Sequence, residues 1–275
     1  MRQSRISASG YSNTAPLIWS FLYGSNRGKY EIILDNAPAR SAELLAERRV
    51  DAALVPVIEY QRIEDVLLVG DVCVGAKEKV QSVCLVTKGL DLKEARSVAL
   101  DVSSKTSAAL TKIIFREFLG FEPVWKDAEP DLNEMLKAAD CALLIGDPAL
   151  SIAECVVRNA DLPLASDAPN LRKFDLAELW KTFTDLGFVF AMWMTRNEFC
   201  PIDFAAARDE GLRHLEEIIS NYETEIPLTK ADFRKYLAEN ISYSVDGAMR
   251  EGLELFFALA QKNGLIEKNK LLRFI

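Results

Sequence analysis

The sequence predicts an α/β protein with two lobes and a ligand cleft between them. Short apolar strands alternate with helical segments in two series, one beginning at Arg5 and the other at Ser97. No long linker separates the two series, and consecutive amphipathic helices follow from Asp203 onward. Strands connected through helices of this length favour parallel pairing. A cleft between two such lobes would bring strand ends and helix N-termini together.

The first series contains five predicted strands and three helical segments. Pro16 lies near the start of the first helix, where proline is well tolerated. Leu44 and Leu45 share the apolar face of the second helix. The predicted strands are residues 5–8, 30–35, 52–56, 67–74 and 80–87, and the helical segments are residues 18–23, 38–48 and 57–63.

The second series repeats this alternation, and a helical C-terminal third follows it. Gly120 is a stop signal for the long helix that opens the series. Thr229 with Asp232 resembles a capping box, and Ser244 is a candidate cap for the last helix. The predicted strands are residues 97–101, 124–126, 141–145 and 188–194, and the helices are residues 107–119, 132–138, 148–158, 203–220, 229–240 and 244–263.

The two series divide the chain into a discontinuous lobe and a continuous one. We expect the chain to enter the second lobe near residue 88 and to leave it near residue 186. Residues 1–88 plus 187–275 then form the first lobe, which includes the C-terminal helices, and residues 89–186 form the second. Trp19, Trp180 and Trp193 are expected in the core, because tryptophan is highly buried on average.

Composition and charge exclude several functional classes. The 275 residues are 49% hydrophobic and 27% charged, and the net charge is −8. An acidic protein of this kind is a poor partner for nucleic acid or an anionic membrane. No apolar run approaches the roughly 20 residues that span a bilayer, and the N-terminus lacks the apolar region of a secretory signal. We therefore expect a cytoplasmic protein, monomeric or homodimeric, without nucleic-acid or membrane partners.

The cysteines and the histidine argue against a metal site. Five widely spaced cysteines without a C-x-x-C motif indicate free thiols in a reducing compartment. His214 is the only histidine, so the sequence offers no cluster of Cys and His ligands. We expect neither a metal ion nor a cofactor. The cysteines are Cys73, Cys84, Cys141, Cys155 and Cys200.

Residues 9–17 predict a helix N-terminus that faces open space. A strand, a small polar turn and a helix with an early proline follow one another here. Free backbone N–H groups collect at such a terminus, and the helix dipole favours an anion. Ser12, Asn13 and Thr14 are therefore candidates for binding a carboxylate or phosphate. An ordinary N-cap is the alternative, because Asn and Thr are common capping residues.

Residues 101–107 form a second and stronger candidate anion site. Hydroxyl side chains are dense where a strand passes into a helix, beyond what capping requires. Lys105 adds a positive charge if it faces the cleft rather than solvent. A Ser/Thr-rich cap is the alternative. The hydroxyl residues are Ser103, Ser104, Thr106 and Ser107.

Four further residues are weaker candidates. Gly146 and Asp147 join a strand to a helix, where a glycine lets the backbone approach a ligand. Ser82 stands at the head of an apolar strand, and Glu59 follows a buried strand. For each of these residues a purely structural role, such as a turn or a helix cap, is the alternative.

Familiar catalytic motifs are absent from the sequence. It contains no G-x-S-x-G, no G-x-x-x-x-G-K-[ST] and no G-x-G-x-x-G motif. A Ser–His–Asp arrangement would have to use His214, which falls in a predicted helix. Composition and spacing therefore indicate a two-lobed binder of an organic anion and do not specify a reaction.

Taken together, the order and spacing of eight short stretches resemble one enzyme family. They are similar to the chorismate dehydratases of the futalosine route to menaquinone, cytoplasmic relatives of periplasmic solute-binding proteins. The stretches span most of the chain before residue 195. They are SNTAPL from residue 12, DAALVPVIEY from 51, SVCL from 82, VALD from 98, SKTS from 104, IGDPAL from 145, DLAELW from 175 and FVFAMW from 188.

This resemblance implies a fold, a reaction and roles for the candidate residues. The fold is of the type II periplasmic-binding-protein kind, and the enzyme is a lyase that converts chorismate to 3-[(1-carboxyvinyl)oxy]benzoate and water. Our hypothesis for this reaction is that Asn13 and Ser82 are the catalytic pair and hold the enolpyruvyl carboxylate of the substrate while that carboxylate takes the proton. The implied residues for binding this small dicarboxylate are Ser12, Thr14, Glu59, Ser104, Thr106, Ser107, Gly146 and Asp147.

Two other functions remain open at this point. One is that of a sister enzyme of the same pathway, a 1,4-dihydroxy-6-naphthoate synthase, which resembles this family and needs a histidine in its cleft. The position of His214 in the C-terminal helical region counts against it. The other is a binder of a small organic anion that performs no chemistry.

Overall fold

A computed structural model describes residues 3–35, 38–152 and 170–275, and in these residues ten strands form two sheets. Short strands and short helices alternate through most of the chain, as the sequence predicts. The strands are β1 Arg5–Ser9, β2 Glu31–Asp35, β3 Ala52–Pro56, β4 Leu67–Ala76, β5 Val83–Lys88, β6 Ser97–Asp101, β7 Val124–Ala128, β8 Cys141–Ile145, β9 Leu171–Asp175 and β10 Phe188–Thr195.

Eleven helices accompany these strands in the described ranges. Two of them continue as π-helical turns, α4 into Ile114–Leu119 and α10 into Tyr236–Asn240. A 3-10 turn, Ser12–Thr14, precedes α1, and another spans Leu92–Glu94. The helices are α1 Ala15–Leu22, α2 Pro38–Ala46, α3 Glu59–Arg62, α4 Lys105–Ile113, α5 Leu132–Ala138, α6 residues 146–152, α7 Leu176–Thr184, α8 Phe204–Arg213, α9 Leu215–Asn221, α10 Lys230–Lys235 and α11 Gly247–Lys262.

The two five-stranded sheets have the same plan. The first has the order β2-β1-β3-β10-β4 and the second the order β7-β6-β8-β5-β9. In each sheet three strands are parallel, and the fourth strand runs antiparallel to both of its neighbours. The expectation of wholly parallel pairing is therefore wrong for β5 and β10. Each of these strands is the first that the chain forms after it crosses from the other sheet, and it runs antiparallel to the strands on both sides of it.

The first crossing lies before Val83. The sequence-based boundary at residue 88 put this strand in the first lobe, but β5 pairs with β8 and β9 in the second sheet. The chain returns between α7, which ends at Thr184, and β10, which begins at Phe188. The two lobes are therefore joined by two short crossings, and the ends of β4 and β5 are close to both lobes.

Buried apolar side chains form one large cluster that reaches both sheets. Val83 and Leu85 of β5 face this cluster, whereas Cys84 and Val86 face a smaller one behind the second sheet. This alternation follows from the two-residue period of a strand. Burial of the three expected tryptophans is confirmed, since Trp180 and Trp193 are fully buried and Trp19 is 7% exposed. Four cysteines are free thiols, and the fifth, Cys155, lies outside the described residues.

The C-terminal helices differ from the sequence-based prediction in two places. The helix expected over residues 203–220 is divided into α8 and α9 at His214, whose ring stacks on Trp19 at 3.8 Å between centroids. The cap of α11 is Asp246, which accepts a hydrogen bond from Met249 N at 2.9 Å. Ser244 does not cap this helix, because its hydroxyl accepts a hydrogen bond from Arg208 Nη1 at 2.9 Å.

Two elements have no counterpart in the sequence-based prediction. Strand β9 and helix α7 follow one another directly, and Asp175 caps the helix by accepting hydrogen bonds from Ala177 N and Glu178 N. The helix expected over residues 148–158 begins earlier, at residue 146, and its residues 153–158 lie outside the described ranges. In the parts of the chain that are described, no helix combines the length and apolar character needed to cross a membrane.

Packing of α11 against the start of β10 depends on a glycine. A Cβ atom at Gly252 would overlap the carbonyl oxygen of Gly187, whereas a Cβ atom at Gly247 of the same helix would meet no atom within 4 Å. We expect Gly252→Ala to lower the free energy of unfolding by about 1–3 kcal/mol, because backbone atoms cannot easily give way. Gly247→Ala is the matched control and should leave stability unchanged or raise it by about 0.5–1 kcal/mol. Urea-induced unfolding measures both values, and equal stability of the two variants would contradict this packing argument.

Candidate functional site

A cavity lies between the two sheets, at the carboxyl ends of their parallel strands. Strands β1, β3, β6 and β8 all end at this crevice, so the residues that follow them line it. This is where ligands bind in open α/β sheets. Both lobes contribute lining residues.

The lining has an apolar part and a polar part. The apolar part suits a hydrocarbon ring, and the polar part carries hydroxyl, amide and ammonium groups that suit anionic substituents. The apolar residues include Leu54, Pro56, Val74, Val83, Ile145 and Phe190. The polar residues include Tyr11, Asn13, Thr14, Ser103, Ser104, Lys105, Thr106 and Ser107.

The N-terminus of α4 opens into this cavity without a side-chain cap. Ser104 occupies the N-cap position, but its side chain makes no capping hydrogen bond. The first backbone N–H groups of a helix have no helical acceptor, so those of Lys105 to Ser107 remain for other partners. Lys105 also lines the cavity. Dipole, free N–H groups and a cation together make this end of α4 a strong site for a carboxylate.

The N-terminus of α1 reaches the same cavity from the first lobe. Thr14 is its N-cap residue but makes no capping hydrogen bond, because its hydroxyl donates to Ser9 O at 2.6 Å. Asn13 precedes it in the 3-10 turn, is 8% exposed and lines the cavity. Two helix N-termini without side-chain caps therefore approach one cavity from opposite lobes, as the sequence predicts.

Ser82 is held rigidly beside the cavity. Its side chain is fully buried, and its neighbour Val83 lines the cavity. The carbonyl oxygen of Ser82 accepts a hydrogen bond from Gly146 N at 2.7 Å. Gln81 has a left-handed backbone with φ of 60°, and its N–H donates to Asp175 Oδ2 at 2.6 Å. The Ser82 hydroxyl itself donates a hydrogen bond to Val80 O at 3.4 Å.

Several hydrogen bonds and one close packing contact join the two lobes around the cavity. Ser12 donates hydrogen bonds from its backbone N–H and its hydroxyl to the carboxylate of Asp147. Ile58 N donates to Thr106 Oγ1 at 3.3 Å. Gly146 has φ of 63° and lies so close to Tyr11 that a Cβ atom would come within 2.8 Å of its ring. The lobes are therefore in contact on more than one side of the cavity.

Burial is the main cause of a raised pKa in two carboxyl groups between the lobes. It raises the pKa of Asp147, and the hydrogen bonds from Ser12 oppose that shift only in part. It also raises the pKa of Asp101, against hydrogen bonds from the hydroxyl and N–H of Ser103. Desolvation disfavours the charged form of a carboxyl group, so both carboxylates cost stability at neutral pH.

The structure places six of the ten sequence-predicted site residues in the cavity lining and four outside it. Of these four, Ser12 and Ser82 are fully buried, Asp147 accepts hydrogen bonds from Ser12, and Glu59 forms an ion pair with Arg62 at 2.7 Å. The six that line the cavity are Asn13, Thr14, Ser104, Thr106, Ser107 and Gly146.

Sequence reasoning missed Tyr11 and Phe190 as cavity residues. Tyr11 lies in the polar turn of residues 9–17, two positions before Asn13, and this position could have identified it. Phe190 lies in an apolar strand, and its sequence context predicts a core residue. His214 Nδ1 donates to Glu217 Oε1 at 2.9 Å, and His214 is not among the cavity residues. Among the described residues, no three His, Cys, Asp or Glu side chains are arranged to hold a metal ion.

Comparison with known proteins agrees with the geometry. Residues 4–262 match the family described as menaquinone biosynthesis. A chorismate dehydratase from Thermus thermophilus is 32% identical over 260 residues, which cover 90% of this chain and 91% of that protein.

Solved structures share the fold at low sequence identity. Protein AF1704 from Archaeoglobus fulgidus aligns with a TM-score of 0.65 and 16% identity over 95% of this chain and 98% of that chain. The alkanesulfonate-binding protein SsuA from Xanthomonas axonopodis pv. citri, bound to MOPS, aligns with a TM-score of 0.66 and 14% identity over 98% and 96%. The likeness to a binding protein confirms the two-lobed, periplasmic-binding-protein-like fold expected from the sequence.

The raised pKa of Asp147 predicts a pH-dependent stability. The folded chain keeps a proton on this group at a pH where the unfolded chain has released it, so stability falls as pH rises from the ordinary carboxyl pKa to the raised one. Asp147→Asn removes this titration. We expect the wild type to gain stability relative to the variant as the pH is lowered from about 7 to the ordinary carboxyl pKa of about 4.

Urea-induced unfolding at both pH values measures this difference. Asp127→Asn, which removes one exposed carboxylate in β7, is the control for the loss of a single negative charge. The assignment is refuted if the free energy of unfolding of the wild type, minus that of Asp147→Asn, stays constant or falls on acidification.

Proposed function

This chain belongs to the menaquinone biosynthesis family, and from that membership we propose that it is a chorismate dehydratase. The reaction is the conversion of chorismate to 3-[(1-carboxyvinyl)oxy]benzoate and water, which makes the enzyme a lyase. The identity with the Thermus thermophilus chorismate dehydratase extends over nearly the whole of both chains, which supports transfer of the activity. We propose further that the enzyme acts in the cytoplasm and without a cofactor.

The observation that carries this proposal is the approach of two helix N-termini to a single partly apolar cavity. Chorismate has a hydrocarbon ring with two carboxylates attached at different points. The apolar residues suit the ring, while the first N–H groups of α4 and the side-chain amide of Asn13, just before α1, offer donors from opposite lobes for the two carboxylates. Because the whole protein is acidic, these local donors have to supply the attraction for a dianion.

The chemistry requires little from the protein. The C3–H bond of the ring and the C4–O bond both break, the hydroxyl leaves as water after it gains a proton, and the ring becomes aromatic. Aromatisation makes the reaction strongly downhill, so orientation and local hydrogen bonds are the main contributions that an enzyme can add. A cavity without a histidine side chain is compatible with such a reaction.

In this proposal the substrate supplies its own base. Its enolpyruvyl carboxylate takes the C3 proton, and Asn13 and Ser82 hold that carboxylate in position. A neutral amide and a hydroxyl are too weak as bases to remove the proton unaided, whereas both can donate hydrogen bonds to a carboxylate. Thr106 and Ser107, with the N–H groups of α4, bind the second carboxylate. The contacts between Ser12 and Asp147 and between Gly146 and Tyr11 keep the two lobes together around the substrate.

Replacement of the proposed catalytic pair tests this function. We expect Asn13→Ala and Ser82→Ala each to lower kcat for chorismate by about a hundredfold, because each loses a hydrogen bond to the reacting carboxylate. Formation of the benzoate chromophore, followed by ultraviolet absorbance, measures the rate. Asn133→Ala in α5 and Ser220→Ala in α9, both at exposed positions, are matched controls that should keep the wild-type rate.

The assay also separates this function from the alternatives. Wild-type rates in both variants would remove the roles of Asn13 and Ser82 and leave the activity itself in place. A rise in the melting temperature with chorismate but no new chromophore would identify a binder without chemistry. The absence of both effects would refute the proposal.

A further inference from the structure

A tyrosine that no sequence motif pointed to lies against both members of the proposed catalytic pair. Tyr236 begins the π-helical turn Tyr236–Asn240, and its side chain is fully buried. Its phenol hydroxyl has the side chains of Ser82 and Asn13 as its polar neighbours. Asn13 belongs to the first lobe, and Ser82 directly precedes the first strand of the second sheet. The hydroxyl therefore adjoins one side chain from each half of the site.

The phenol oxygen of Tyr236 makes no hydrogen bond with any of the described residues. A buried polar atom without a partner is destabilising, and a phenylalanine would pack in the same place without that cost. Phe233, one turn earlier, stacks nearly parallel to the ring of Tyr236, with centroids 6.1 Å apart. Packing therefore accounts for the ring but gives no reason for the hydroxyl.

The backbone around Ser82 is tied to the same π-helical turn. The side chain of Gln81 donates a hydrogen bond to Asn240 Oδ1 at 3.0 Å. On its other side, Gln81 N–H is held by Asp175, and the Ser82 carbonyl is held by Gly146. Single π-helical turns occur often at functional sites. This turn therefore supplies the Tyr236 phenol beside Ser82 and the Asn240 side chain that holds the neighbouring Gln81.

We propose that Tyr236 is a positioning residue of the dehydration reaction, whose hydroxyl donates a hydrogen bond to Ser82 Oγ when the substrate is bound and thereby sets Ser82 and Asn13 relative to each other. The Ser82 hydroxyl, which donates to Val80 O at 3.4 Å in the free protein, then turns its own proton to the substrate carboxylate. This inference rests on the proposed function. Burial raises the pKa of the Tyr236 phenol, so it acts as a neutral donor and does not take part as a base.

The test compares two tyrosine hydroxyls of the same kind. Tyr236→Phe keeps the ring and removes the hydroxyl, and Tyr243→Phe is the matched control. Tyr243 is also buried and without a hydrogen-bond partner among the described residues, but its polar neighbours are Tyr236 and Cys73 instead of the catalytic pair. We expect Tyr236→Phe to lower kcat by about tenfold with little change in KM. Tyr243→Phe should keep the wild-type kcat, and neither variant should melt at a lower temperature than the wild type.

A double variant separates positioning from a structural effect. Because Tyr236 acts through Ser82, Tyr236→Phe combined with Ser82→Ala should be no slower than Ser82→Ala alone. Losses that multiply, an unchanged kcat in Tyr236→Phe, or a melting temperature that falls in step with kcat would each overturn the inference. If the wild type does not convert chorismate, the proposed function itself is refuted. If the wild type does convert chorismate and one of these three results is found, only the role of Tyr236 is refuted.

Discussion

The site depends on one geometric constraint, which is that parallel strands in a sheet end at the same edge. Strands β1 and β3 of the first sheet and β6 and β8 of the second sheet end at a common crevice. The turn after β6 leads directly into α4, whose first N–H groups have no helical partner, and the turn after β1 brings Asn13 to the same crevice. An acidic chain thereby gains a local region that attracts anions, although its overall charge repels them. Selection among anions then depends on the apolar wall and on the separation of the two helix ends.

Both sheets have the same strand arrangement. Each half of the site is therefore built from polar turns at the ends of parallel strands. Each sheet has a parallel core and one antiparallel strand that follows a crossing from the other lobe. The strands of the second sheet form one continuous segment, whereas the first sheet is completed only by β10, after the chain has returned from the second lobe. Gly252 and Gly187, which lie near the second crossing, show how closely helix and strand approach there.

Local sequence signals were sufficient for most elements and for most of the cavity wall. Strand β8 and helix α5 begin and end where the sequence predicts, because apolar runs and caps are local features. The antiparallel strands β5 and β10 were misjudged, since strand direction depends on where the chain comes from and not on side-chain pattern. His214 divides a helix because it stacks on Trp19, a residue almost two hundred positions away. Tyr236 escaped notice for the same reason, since nothing near it in sequence indicates its contact with Asn13.

The position of Ser82 at the first crossing has a mechanical consequence. If one lobe turns relative to the other, the crossing segments serve as the pivot, and displacement grows with distance from the axis. Ser82, with Gln81 strained beside it, would scarcely move, while the mouth of the crevice would swing widely. Such a movement would open the crevice to a bulky ligand and would leave Ser82 in place.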